Sequence, residues 1–159
     1  MKNKISGRDV YNNFQRIGFA SNSQVGNDFE EVGKLFFARQ GIELVRNYRL
    51  EIGVNENKKI HVFDLGDETS KVIVECKSHR WTMTEKTPSA KMTVWNEAMF
   101  YFYIAPKEYR KILFVLRSIH STKKFTLAEY YLRRYPHLIA TDVEIWEYDE
   151  EKETAERIN

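Results

Sequence analysis

The sequence is short of cysteine, proline and glycine, with one, three and seven in 159 residues. One cysteine excludes an internal disulfide and any cysteine-built zinc cluster. No stretch approaches the roughly 20 apolar residues of a membrane helix, and the Met1–Gly7 start has no apolar core of a signal peptide. These absences predict a cytoplasmic protein without a membrane partner. No repeat or low-complexity segment is present either. What remains is 42% hydrophobic, 30% charged and 14% aromatic, the composition of a globular chain long enough for one domain with a core.

Net charge is only +2. The last thirteen residues, Glu147 to Asn159, hold six acids against Lys152 and Arg157, which leaves +6 on the preceding chain. A basic body suits a polyanionic partner, and it also suits an ordinary soluble domain.

Periodicity predicts helices over 6–17, from about Val25 to Gly41, over 93–104 and over 126–135. Strands are expected at 42–52, on both sides of a Gly66-Asp67 turn, at 112–116 and at 143–148. Residues 20–26 and 78–91 read as connections, and the acidic tail 149–159 reads as frayed. The order is α-α-β-β-β-α-β-α-β, an α/β fold with one mixed sheet flanked by helices.

Between Ile60 and Lys77 this pattern carries a conflict. The apolar run Val72 to Val74 ends in Glu75-Cys76-Lys77, and strand alternation puts Ile73, Glu75 and Lys77 on one face. The preceding run ends in Asp64, on the face of Ile60 and Val62. Charges at the end of apolar strands are costly to bury unless paired or metal-bound. Asp64, Glu75 and the backbone carbonyl of Cys76 can together surround a hard divalent cation such as magnesium, which takes oxygen ligands and fills its shell with water and phosphate. Lys77 beside it can orient or deprotonate a water, so the parts for phosphodiester hydrolysis are present. The bland alternative is a Glu75–Lys77 ion pair on an edge strand. The Cys76 side chain reads as core, His61 as structural because it alternates away from Asp64, and neither His61 nor His79 has metal-ligand spacing with other nitrogens. In the basic loop after Lys77, Arg80, Lys86 and Lys91 suit phosphate contacts, and Trp81 reads as an anchor.

Asp64-x10-Glu75-Cys76-Lys77 resembles the motif of the PD-(D/E)xK nuclease superfamily, whose restriction-endonuclease-like core is αβββαβ. The resemblance covers about residues 25–116 and departs from the motif at Phe63, where many members have proline. It implies a glutamate on the helix before the first strand, which Gly26-Asn-Asp-Phe-Glu-Glu31 supplies as Glu30, with Glu31 in the adjoining register. It also implies further backbone-contacting groups at the start of the next helix, where Lys91 and Asn96 stand. The expectation is a single-domain, magnesium-dependent DNA endonuclease, with manganese able to substitute. Glu30, Asp64, Glu75 and Lys77 would be catalytic. A restriction-type homodimer is the first choice. A junction or repair nuclease, or a non-catalytic nucleic-acid-binding domain, is the alternative.

Overall fold

The computed structural model describes residues 22–159; the helix expected over 6–17 lies outside the described residues. The chain forms α1 (Asn22–Arg39), β1 (Val45–Ile52), β2 (Lys59–Asp67), β3 (Val72–Lys77), α2 (Ser89–Ile104), β4 (Arg110–Leu116), α3 (Leu127–Arg134), a 3-10 turn (Pro136–Leu138), β5 (Val143–Asp149) and β6 (Thr154–Arg157). All six strands form one sheet in the order β1-β2-β3-β4-β5-β6. The outer pairs run antiparallel and β3-β4-β5 run parallel. Parallel neighbours need long crossovers, and α2 and α3 supply them. The expected α/β class with a mixed sheet is thus present, and no helix among the described residues is long and apolar enough to cross a membrane.

Two cores sandwich the sheet. On one face Phe29, Phe36 and Phe37 of α1 pack on Leu65, Val74, Ile112 and Phe114. On the other, Met92, Trp95, Met99 and Phe102 of α2 join Leu127 and Tyr131 of α3 over Phe63, Ile73, Leu113, Val115 and Ile145. The run Ile112 to Leu116 is fully buried, as a strand covered on both faces requires. Helix α3 is started by a reciprocal cap, in which Thr126 accepts from the Glu129 N–H and Glu129 accepts from the Thr126 N–H.

Three expectations are corrected. The hairpin does not turn at Gly66-Asp67; both residues lie within β2, paired with Ile73 and Val72. The chain reverses at 68–71, where Asp67 Oδ2 accepts from both the backbone N–H (2.6 Å) and the hydroxyl (2.7 Å) of Ser70. Gly66 is required for a close approach instead: a Cβ there would stand 2.4 Å from the Tyr48 ring. The acidic tail is not frayed, because β6 pairs with β5 and Asn159 bonds both the Ile145 N–H and the Val143 carbonyl. Helices begin earlier than their apolar periodicity does: α1 already includes Asn22 to Gly26, and α2 starts at Ser89.

Candidate active site

The site begins where a ladder stops. β2 and β3 pair through Asp67↔Val72, Gly66↔Ile73 and Leu65↔Val74, and no further. The reason lies in β2. Phe63 packs in the α2 core while Leu65 packs in the α1 core, although an unbroken strand would send both to one face. The chain therefore twists sharply at Asp64. Its neighbour across the sheet, Asn47, takes a left-handed φ of 53°, a conformation Asn tolerates better than most residues. Beyond that twist β2 leaves β3, and the two strands form a fork.

Asp64 fills the fork. Its Oδ2 accepts the Cys76 N–H at 2.7 Å, standing in for the carbonyl that a continued ladder would provide. In a strand the N–H and C=O of one residue point to the same edge, so the Cys76 carbonyl also faces the fork. Lys77 Nζ donates to Glu75 Oε2 at 2.7 Å and stands 3.9 Å from Asp64 Oδ2. Glu75 Oε1 is 3.2 Å from His61 Nε2. The predicted trio of Asp64, Glu75 and Lys77 is thus gathered in one place. Glu75 is 6% exposed, and the Lys77 and Asp64 side chains 13% and 25%.

Burial sets the electrostatics. Asp64 is pushed up to about 7, first by desolvation and then by the Glu75 charge, against the pull of Lys77 and the Cys76 N–H. Burial would raise Glu75 too, but the His61 hydrogen bond and the Lys77 charge outweigh it and hold its carboxyl below the ordinary value. Lys77 loses hydration, yet the Glu75 and Asp64 charges win and its ammonium is held above the ordinary value. Lys77 therefore stands as a cation between the two carboxylates. The Cys76 thiol is driven well up by burial and packs with the α1 core; it is no nucleophile.

Helix α1 reaches the fork because Gly33 lets it lie close to the sheet. A Cβ at Gly33 would meet Phe114 at 3.2 Å, Leu65 at 3.3 Å and Cys76 Sγ at 3.4 Å. One turn earlier, Glu30 is near enough for its charge to raise Asp64. Glu30 Oε2 is held by Arg46 Nη2 at 2.6 Å, while Glu31 lies 4.0 Å from Arg46 and is more exposed, at 45% against 17%. Of the two registers, Glu30 is the one turned to the fork.

The predicted phosphate-contacting residues scatter. Lys91 is exposed on the first turn of α2, with its charge felt by His79. Lys86 is exposed on the loop. Arg80 pairs with Glu150 Oε1 at 2.5 Å, tying the loop to the β5–β6 connection. Asn96 accepts from the Tyr131 hydroxyl at 3.0 Å, so its side chain joins α2 to α3. Trp81 packs on His120, Phe125 and Tyr130, the anchoring role expected of it.

Sequence reasoning missed His61 and Arg46. The misplaced turn hid both the register and His61's proximity to Glu75: with the chain reversing at 68–71, the observed pairing continued by one residue sets Asp64 level with Glu75. Plain alternation from there would still send His61 and Phe63 to the other face; the twist at Asp64 brings them to the Glu75 side of the sheet. Nothing local in the sequence marked Arg46.

Among the described residues no group of three or more His, Cys, Asp or Glu is arranged to hold a metal ion. Asp64 and Glu75 nevertheless both stand beside Lys77 at the fork, with the Cys76 carbonyl on the same edge, and Asp64, raised first by burial and then by the Glu75 charge, is a carboxylate whose charge a divalent cation would offset. That set fits an ion that keeps several waters. Comparison of the chain with protein-family models, with curated proteins and with solved structures finds no match.

Proposed function

We propose that the protein is a metal-dependent nuclease that hydrolyses DNA phosphodiester bonds, with the fork between β2 and β3 as its active site. The observation that carries this reading is the convergence of buried Glu75 with half-buried Asp64 and Lys77 in one group of hydrogen bonds and ion pairs. A fold gains little from one buried and one half-buried carboxylate around one ammonium, since apolar residues of similar volume are often as stabilising. Strained electrostatics of this kind cluster at functional sites.

Asp64, Glu75 and the Cys76 carbonyl would hold magnesium or manganese, which when bound polarises phosphate and lowers the pKa of water. Lys77, kept charged by both carboxylates, donates to Glu75 and presents its remaining protons to a phosphate oxygen or the attacking water. It acts as an electrostatic support. Arg46 holds Glu30 by one oxygen, leaving the other to orient water. Lys91 and Lys86 offer exposed cations to the DNA backbone, where contacts position the duplex without reading it. A restriction-type endonuclease acting as a homodimer is the first choice, because one such fork addresses one strand.

A non-catalytic nucleic-acid-binding domain is the second reading, favoured by the pairing of both Glu75 oxygens within the protein. Plasmid, linear duplex, single-stranded and branched DNA incubated with magnesium or with chelator separate the two. Magnesium-dependent cleavage lost in Asp64→Ala supports the nuclease; preference for branched DNA would favour a junction or repair enzyme. A folded protein that binds DNA, binds no metal and cuts none of the four would be the binding domain.

A further inference from the structure

Among the described residues, His61 is a side chain at the fork for which the proposed chemistry has no use, and its surroundings are those of a fixed part. Its ring stacks on Tyr101 with centroids 3.9 Å apart and meets Phe63 edge-on at 4.6 Å. Tyr101 is itself tied, its hydroxyl donating to Glu97 at 2.5 Å, and Phe63 is fully buried. From this clamp Nε2 reaches Glu75 Oε1 at 3.2 Å. An ionised carboxylate only accepts, so Nε2 carries the hydrogen.

Glu75 therefore receives one donor on each oxygen, His61 on Oε1 and Lys77 on Oε2. A carboxylate has about four lone-pair sites, so about two remain open, and the two donors fix which way they point. Lys77 alone could not do this: its stem is flexible and it is shared with Asp64 at 3.9 Å. A donor on a rigid, stacked ring removes the remaining rotation.

We infer that His61 is a positioning residue, which orients the Glu75 carboxylate for a divalent cation shared with Asp64. The inference rests on the nuclease reading and adds to it the group that makes Glu75 a directed ligand. Hydrogen-bonded partners of metal-binding carboxylates are worth about 10- to 100-fold in metal affinity or activity, and an effect of that size is expected here.

Two substitutions divide the ring from its donor. His61→Gln keeps an N–H at similar reach and loses the stack; His61→Phe keeps the stack and loses the donor. Manganese binding is measured calorimetrically, together with the magnesium concentration giving half-maximal plasmid cleavage and the thermal midpoint. The expected result is that His61→Phe weakens manganese binding and raises the magnesium requirement about 10- to 100-fold, with KM for DNA unchanged. His61→Gln should stay near wild type in metal binding while melting lower. If His61→Phe binds metal as wild type does, or if His61→Gln loses affinity as fully as His61→Phe, His61 is only packing and the inference is overturned. A wild-type protein that is folded yet binds no manganese and cuts no DNA would instead overturn the nuclease reading, and this inference with it.

Discussion

Replacing Asp64 with Asn should make the metal-free protein more stable. Asn keeps the shape of the side chain and an oxygen for the Cys76 N–H, and removes a charge that the fork holds at a penalty. The carboxyl of Asp64 rises from its ordinary 3.8 to about 7, so the folded state binds a proton that the unfolded state has released between those values. Wild-type stability therefore falls as pH rises from about 4 to about 7, and the full penalty stands above 7. A rise of about three pKa units corresponds to about 4 kcal/mol. That is a ceiling, because a little water entering the fork relieves it. A gain of at least about 1 kcal/mol at pH 8 is expected, or roughly 2–4 °C in melting temperature for a chain of this size. At pH 4, where Asp64 is protonated in the folded state and half-protonated unfolded, the gain should shrink to about 0.5 kcal/mol. Thermal melts of both proteins in chelator from pH 4 to 8 give the comparison. A variant less stable than wild type, or a difference flat across pH, would refute the reasoning that Asp64 is held against its preference.

The same carboxyl must lose its proton to take a cation, so metal affinity should climb as pH rises through about 7, which calorimetry in buffers of different ionisation enthalpy would detect as proton release. Lys77→Met should lower plasmid cleavage about 100- to 1000-fold at saturating magnesium, with the far-ultraviolet dichroism unchanged. Cys76→Ala should cut DNA at close to the wild-type rate, since the residue would offer the metal only its carbonyl; a large loss would give the thiol a role. Gly33→Leu should destabilise by about 1–3 kcal/mol, because its side chain would enter the 3.2–3.4 Å gap to Phe114, Leu65 and Cys76; denaturant melts measure it.

The parts of the fold legible in the sequence are those where local pattern and burial agree. Ile112 to Leu116 is uniformly apolar because both faces are covered, and the helical spacing of Phe29, Val32 and Phe36 marks the face of α1 that packs on the sheet. The hairpin misled because Gly66-Asp67 has turn composition, while glycine is there to make room for Tyr48, a contact from another strand that no local pattern records. The tail misled because its acids look solvated. Asp149 in fact accepts the Glu151 and Lys152 N–H groups in the β5–β6 turn, and Arg80, seventy residues away, covers Glu150. The grouping of Asp64, Glu75 and Lys77 was legible as charge at the end of apolar runs. His61 was not, because seeing it requires the true register and the twist at Asp64.

Plasmid cleavage by the purified protein in magnesium, with Asp64→Ala alongside and chelator as control, tests the central claim most directly. Nicked and linear DNA should accumulate with the wild-type protein and magnesium alone. Intact supercoiled plasmid after incubation with folded wild-type protein and magnesium, or equal cutting by Asp64→Ala, would contradict it.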